Sequence, residues 1–170
     1  FDRFSKGVTM APIIPLPDMD RLDPEVRALV ASFPMNVAKM AANAPGNVKG
    51  FLELAKSVLF NSAFDPRKRE IAVLRVAHVT HAMYEWTHHV TLAKHYRVTD
   101  AQIKILQTED PVASLDEEGN LLCRVADEIS RNVRLSDDAL ARILERYGTQ
   151  GATELILCVS YFNFLSRFLE

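Results

Sequence analysis

The segment Tyr84-Glu85-Trp86-Thr87-His88-His89 concentrates side chains that can transfer protons. On a helix, Glu85 and His89 lie four residues apart and therefore share a face. A carboxylate that is hydrogen-bonded to an imidazole fixes its tautomer and raises its basicity. This spacing predicts a general base, or half of a metal site.

Glu70 is a second carboxylate in an unusual place. It begins the segment EIAVLRVAHV, which would form a helix that is apolar on almost every face. A helix of that kind is buried on most sides, so the glutamate needs a partner there. Burial can also raise the pKa of a carboxyl group and make it an acid. If the two helices pack as a hairpin, we expect Glu70 to approach Glu85 and His89.

Four further side chains are predicted to line a substrate pocket beside these three catalytic candidates. They are Tyr84, Trp86 and His88 on the same predicted helix, and Tyr161 near the end of the chain. Tyr161 is a polar group within an apolar run, which suits either a pocket wall or a satisfied core position.

A metal site is an alternative, because His81, Glu85 and His89 follow one another at intervals of four residues. Histidine and carboxylate ligands at this spacing suit a transition metal. A predicted break in the helix near Ala82 weakens this stripe. The primary expectation is a site that needs no metal and no cofactor.

Arg75 lies inside the apolar stretch and allows two interpretations. It is either a buried structural ion pair, with Glu70 or a neighbouring subunit, or a hook for the carboxylate of a substrate. Cys123 and Cys158 form neither a CxxC motif nor a metal-binding spacing, and both have apolar neighbours. We expect both thiols to be buried and structural.

The positions of these residues depend on the helices around them, which the sequence predicts from Asp23 onward. Aspartate or serine caps, each followed by proline or acidic residues, begin helices at 24, 66 and 137. Apolar spacing predicts helices over 35–43, 48–59, 66–79, 83–95, 101–107, 121–133, 137–147 and 152–168. The fold class is therefore all-α, a helical bundle over residues 23–170, preceded by an extended, proline-rich arm over residues 1–22.

Composition excludes several classes of partner. The chain has 20 basic and 22 acidic residues, which are interspersed, and a net charge of −2. Without a basic stripe, we expect no nucleic acid to bind. No apolar run approaches the ~18–20 residues that cross a bilayer, so we expect no membrane partner and a cytoplasmic location. A small-molecule substrate is the expected partner.

Three segments together resemble the carboxymuconolactone decarboxylase and alkylhydroperoxidase D-like superfamily. They are DPRKREIAVLRVA, YEWTHHVTLAKHYRVTDAQI and ELILCVSYFNFLSRFL. The resemblance implies the all-α fold of that superfamily and assembly into a dimer, trimer or hexamer through shared helices. Such an interface would cover the excess of apolar helix surface.

In the superfamily's peroxidases, a relay glutamate precedes a Cys-x-x-Cys-x-x-x-His motif. When the motif's histidine is placed on His89, the relay glutamate falls on Glu70, and the two cysteines fall on Ala82 and Glu85. The missing thiols argue against peroxiredoxin-type activity, which needs a nucleophilic sulfur and a resolving partner.

The expected function is thus a cofactor-independent decarboxylase, lyase or isomerase that acts on a small oxo-acid, lactone or related carbonyl compound. Two alternatives stay open. One is a metal-dependent oxygenase or hydrolase, and the other is a non-catalytic oligomeric binding protein.

Overall fold

Residues 14–170 are described by a computed structural model, in which the regular secondary structure is helical and contains no strand. The α-helices, in chain order, are α1 Pro24–Ala31, α2 Asn36–Ala41, α3 Val48–Lys56, α4 Pro66–Val79, α5 Met83–His95, α6 Asp100–Thr108, α7 Glu117–Asn132 and α8 Asp137–Leu169. A 3-10 turn spans Met19–Arg21, and a π-helical turn spans Ser57–Asn61. The predicted all-α fold class is confirmed.

Side-chain caps begin the helices at the predicted places. Asp23 accepts a hydrogen bond from the backbone N–H of Glu25 at the start of α1. Asp65 accepts from the N–H of Lys68 at the start of α4, and Ser136 accepts from the N–H of Ala139 at the start of α8. Each cap satisfies one of the N–H groups that the first helical turn leaves without an internal partner.

The chain divides into two compact units, Phe1–Ser57 and Val58–Glu170. In the first unit, α3 packs against α1 and α2. The side-chain amide of Asn43 donates to the carbonyl of Pro15, which ties the chain before α1 to this unit. The predicted arm over residues 1–22 lies partly outside the described residues, and its boundary with the domain stays a prediction.

Helix α4 lies at the centre of the second unit, where it packs against α5, α6, α7 and α8. Nine consecutive residues of α4, from Arg69 to Ala77, are buried. This burial on all sides is what the nearly continuous apolar sequence predicts. Two charged residues, Glu70 and Arg75, are completely inaccessible within it.

The largest departures from the predicted helix boundaries are in α7 and α8, whereas α2, α3 and α6 differ by one to three residues at an end. Helix α7 begins at Glu117 rather than Leu121, because Asp116 caps it through the N–H of Gly119 and its first turn is polar. Residues 137–168 form one helical element, α8, interrupted at Gly148, whose φ of 65° and ψ of −179° are not helical. That backbone conformation is essentially restricted to glycine.

Arg75 forms a buried cluster, and one of the predicted partners is wrong. Its guanidinium binds both carboxylate oxygens of Asp127 on α7 and one of Asp110, at 3.0 Å or less. It also donates to the carbonyls of Leu106 and Glu109. Glu70 is not a partner, because the spacing between the two residues places their side chains on different faces of α4.

The two thiols are buried, as predicted. Burial raises the pKa of Cys123 and that of Cys158 to about 12. Neither thiol forms a disulfide. In the described part of the chain, no helix has both the length and the apolar character needed to cross a membrane.

Candidate functional site

A tight connection between α4 and α5 brings the predicted catalytic residues together. His81 adopts a left-handed conformation with φ of 59°, and the N–H of Ala82 donates to the carbonyl of Ala77. The chain therefore reverses over a short connection, and α5 packs back against α4. This hairpin places His89 next to Glu70, although 19 positions separate them in sequence.

His89 lies between two carboxylates. Its Nδ1 is 2.7 Å from Oε2 of Glu70, and its Nε2 is 3.5 Å from Oε2 of Glu85. All three residues are buried, with exposed fractions of 0% for Glu70, 4% for Glu85 and 7% for His89. The Glu85 contact follows from the i, i+4 spacing, and the Glu70 contact follows from the hairpin.

Arg69 adds a fourth charged group that sequence reasoning did not assign to the site. Its Nε donates to Oε1 of Glu70 at 3.2 Å, and its Nη1 donates to the carbonyl of Leu59 at 2.6 Å. The guanidinium also lies over the ring of Tyr96, with 5.6 Å to the ring centroid. The sequence did contain a sign that Arg69 belongs to the site. An arginine beside a glutamate in the first turn of a buried helix needs a countercharge.

The environment of His89 determines its charge. Burial by itself lowers the pKa of this imidazole, but the hydrogen bonds to Glu70 and Glu85, with the charges of both carboxylates, raise the pKa to about 9. His89 is therefore an imidazolium at neutral pH. The raised pKa of His89 argues against the predicted use of its imidazole as a general base, because a protonated imidazole can only donate a proton.

An aromatic wall from α8 closes one side of the cluster. The ring of Phe162 meets the ring of His89 edge to face, with 4.8 Å between centroids. The ring of Tyr161 packs edge to face on Phe162 at 5.3 Å. Burial, and then the charge of Glu85, raise the pKa of the Tyr161 phenol. Phe162 was not predicted at the site, since a phenylalanine in an apolar run carries no signal of its own.

The other predicted pocket residues make contacts at the surface of α5. His88 is exposed, and its Nδ1 lies 2.8 Å from the carbonyl oxygen of Tyr84. The ring of Trp86 lies 6.1 Å from that of His78. Tyr84 and Trp86 are half-buried. Their role in binding a substrate stays a prediction.

The proposed metal stripe is not assembled. His81 is exposed, in the connection before α5, whereas Glu85 and His89 are buried. Across residues 14–170, no group of three or more histidine, cysteine, aspartate or glutamate side chains is arranged to hold a metal ion.

Three cavities of the second unit lie away from the cluster around His89. The largest of the three, of about 560 Å³, is lined mainly by residues of α7, among them Arg124, Asp127 and Arg131. A second, of about 300 Å³, is lined by Lys68, Tyr147 and Glu154 among others. The third, of about 330 Å³, adjoins the first at Glu117 and Arg142. None of the three is lined by Glu70, Glu85 or His89.

Comparison with known proteins gives one match. Residues 45–122 match the model of the carboxymuconolactone decarboxylase family. No curated protein and no solved structure matches the chain significantly. The matched residues contain the α4–α5 hairpin, with Glu70, Glu85 and His89. Together with the all-α fold, this match over residues 45–122 supports the predicted assignment to the carboxymuconolactone decarboxylase and alkylhydroperoxidase D-like superfamily.

Proposed function

We propose that the chain is a cofactor-independent proton-transfer enzyme, of the decarboxylase, lyase or isomerase type, acting on a small carbonyl compound. The observation that carries this proposal is the buried imidazole of His89, whose two ring nitrogens lie 2.7 Å from Glu70 and 3.5 Å from Glu85. An acid and a base side by side in one nearly dry site are the elements of general acid–base catalysis.

Each residue has a distinct role in this proposal. Glu70 accepts the Nδ1–H of His89 and orients the ring, as a carboxylate does in a catalytic triad. Arg69 holds Glu70 and balances its charge. The Nε2–H of His89 then faces Glu85, so a proton can pass between substrate, Glu85 and His89 without leaving the site.

The site suits carbonyl chemistry better than thiol chemistry. Glu85 stands where the superfamily's peroxidases carry a cysteine, and a carboxylate cannot form the sulfenic acid of their cycle. A carboxylate can remove a proton next to a carbonyl group. An imidazolium can protonate the enolate that forms, or the carbanion left after CO₂ departs.

Hydrogen–deuterium exchange into simple carbonyl compounds tests this function. A panel of small ketones, lactones and oxo-acids is incubated with the protein in D₂O, and exchange at carbon and CO₂ release are followed by NMR. Wild type should accelerate one of these reactions, and His89→Gln and Glu85→Gln should each slow it by about 100-fold or more. The matched controls are His95→Gln and Glu145→Gln, since both residues are exposed. Equal rates in wild type and His89→Gln would remove His89 from the mechanism.

A non-catalytic binding protein is the second candidate, and the small exposure of Glu85 and His89 favours it. In that case the charged cluster would serve only to hold α4 against α5. Absence of exchange across the whole panel, with retained binding of a carbonyl compound, would support this function over catalysis.

A further inference from the structure

The guanidinium of Arg69 is held by three different groups around it. Its Nε donates to Oε1 of Glu70 at 3.2 Å, and its Nη1 donates to the carbonyl of Leu59 at 2.6 Å. Its central carbon lies 5.6 Å from the centroid of the Tyr96 ring, and only 4% of the residue is exposed. A long side chain that is buried and bound at two nitrogens loses most of its rotational freedom, so its donor toward Glu70 has a fixed position.

The carbonyl of Leu59 belongs to the π-helical turn Ser57–Asn61. The last carbonyls of a helical segment lack partners within the segment, and π-helical turns often occur at functional sites. Arg69 supplies a donor to this carbonyl, although ten positions separate the two residues. On its other side, Tyr96 ends α5, the helix that carries His89. The guanidinium therefore joins the turn before α4 to the end of α5 through the start of α4.

Glu70 uses one carboxylate oxygen for each of two partners. Oε1 accepts from Arg69, and Oε2 lies 2.7 Å from Nδ1 of His89. Within residues 14–170, no other hydrogen bond reaches this carboxylate, and Glu70 has no exposed surface. If Arg69 is removed, Oε1 is left buried without a donor, which costs free energy unless the carboxylate turns or takes up a proton. Either response changes the partner of Nδ1 of His89.

Arg69 is also the cation of this site whose charge does not depend on pH. Among residues 14–170, no other arginine or lysine forms an ion pair with either glutamate of the site. The titratable groups on α8 are the thiol of Cys158 and the phenol of Tyr161, and burial raises the pKa of both, so both are uncharged at pH 7. Loss of Arg69 therefore adds one uncompensated negative charge to a buried site, whether or not His89 is protonated.

We propose that Arg69 is a positioning residue of the site, which sets the tautomer and orientation of the His89 ring by fixing the carboxylate of Glu70. With Oε1 held, Oε2 of Glu70 accepts the Nδ1–H of His89, so Nε2 of the same ring faces Glu85 at 3.5 Å. The inference rests on the proposed function for its catalytic consequence, because proton transfer needs Nε2 at that place. The tautomer itself can be measured without any turnover.

Nitrogen-15 NMR of the histidine rings tests this role of Arg69. At pH 10, above the raised pKa of His89, the neutral ring of wild type should carry its proton mainly on Nδ1. In Arg69→Met, the Nε2–H tautomer should predominate, because Glu70 either turns away from Nδ1 or donates a proton to it. His89→Gln identifies the signal. Arg67→Met is the matched control on the same helix, since Arg67 binds Gln102 and the carbonyl of Arg97, and it should keep the wild-type tautomer.

Arg69→Lys separates the charge of the side chain from its geometry, and it carries the test if Arg69→Met does not fold. The ammonium keeps the positive charge but cannot bind Glu70 and the Leu59 carbonyl with two nitrogens of one rigid plane. The population of the Nδ1–H tautomer in Arg69→Lys should therefore lie between those of wild type and Arg69→Met. A wild-type tautomer in every folded variant of Arg69 would overturn the inference, and so would the same loss in Arg67→Met.

The exchange experiment adds a readout that separates this inference from the proposed function. Because Arg69 acts through Glu70 and His89 rather than on the substrate, Arg69→Met should lower kcat about 100-fold and leave KM nearly unchanged. Arg67→Met should keep both constants. Unchanged kcat in Arg69→Met would overturn the inference. No exchange by wild type, together with a tautomer that depends on Arg69, would refute the proposed function and leave the positioning role of Arg69 supported.

Discussion

Helix α4 carries two buried charge clusters that are built differently. Glu70 and Arg75 are five positions apart in sequence, and both side chains have no exposed surface. The five N–H groups of an arginine all find acceptors at Arg75, in Asp127, Asp110 and two backbone carbonyls. In the other cluster, the imidazole of His89 can lose its proton, and its contact to Glu85 is long at 3.5 Å.

This difference separates a structural cluster from one that can do chemistry. A guanidinium does not deprotonate in proteins, so the charge of Arg75 does not change with pH. All five of its N–H donors already have acceptors. The His89 cluster is also buried, yet the charge of its imidazole depends on pH. A buried thiol accompanies each cluster, since the charge of Arg75 acts on Cys123 and that of Arg69 acts on Cys158.

The largest effect on stability is expected from removing the guanidinium of Arg75. Arg75→Met should lower the free energy of unfolding by about 3–5 kcal/mol, because it leaves the Asp127 carboxylate and two carbonyls without their donor. Urea denaturation followed by circular dichroism measures this loss. Arg142→Met, which removes a half-exposed partner of Glu117, is the control and should cost at most about 1 kcal/mol. Equal losses for the two variants would contradict the structural role of Arg75.

The His89 cluster should lose stability at high pH, whereas the Arg75 cluster should not. Because the pKa of His89 in the folded protein is raised to about 9, above its usual 6.5, its contribution is complete below about pH 6.5. The contribution is lost as pH rises through about 9. The loss should be on the order of 3 kcal/mol.

Unfolding of wild type and His89→Gln at pH 6.5 and pH 9.5 measures this contribution. Ionisation of the thiols in the unfolded chain also lowers stability at high pH, but it is common to both proteins and cancels in the difference. A pH-independent difference between wild type and His89→Gln would show that the pKa of His89 is not raised. Titration of the His89 ring by NMR should place its pKa near 9 in wild type, and lower in Glu70→Gln.

Both thiols should react slowly in the folded protein. Their burial and raised pKa should make labelling by an aromatic disulfide reagent at pH 7 at least about 100-fold slower than in the unfolded chain. Rates for Cys123→Ala and Cys158→Ala assign the two sites. Rapid labelling of Cys158 in the folded protein would show that reagents reach the region of the His89 cluster. Fast turnover of a hydroperoxide would contradict the argument against a thiol-based mechanism.

The smallest effect is expected from a change at the start of α4 that touches neither cluster. Asp65→Ala removes the N-cap of α4 and should cost about 1 kcal/mol in the free energy of unfolding. It should not change the pKa of His89, because the cap lies outside both clusters. A shift of that pKa would show that the two clusters are coupled through the helix end.

The parts of the fold that depend on local signals were predictable from the sequence. Asp23, Asp65 and Ser136 mark helix starts by their chemistry, and Met83–His95 is bounded as its pattern predicts. Placing the histidine of the superfamily's peroxidase motif on His89 also gave Glu70 as the relay glutamate that accompanies it. In this case, one short hairpin connects two helices, so little freedom remains in how they pack.

Long-range pairings were not predictable in the same way. Nothing in the residues around Arg75 indicates that Asp127, 52 positions away, binds it. The contact of Phe162 with His89 depends on how α8 crosses α4, which periodicity does not specify. The charge of His89 needed the structure as well, because two carboxylates and burial act on its pKa in opposite directions.

The interruption of α8 at Gly148 bears on how the protein can be labelled and modified. Gly148, Thr149 and Gln150 are exposed, and the backbone at Gly148 is already outside the helical conformation. Exposed irregular positions are where chains tolerate inserted segments best. A fluorescent or affinity module inserted between Gly148 and Thr149 would therefore lie where α8, the longest helix, is already interrupted. It would report on the half of α8 that carries Tyr161 without replacing any residue of the site.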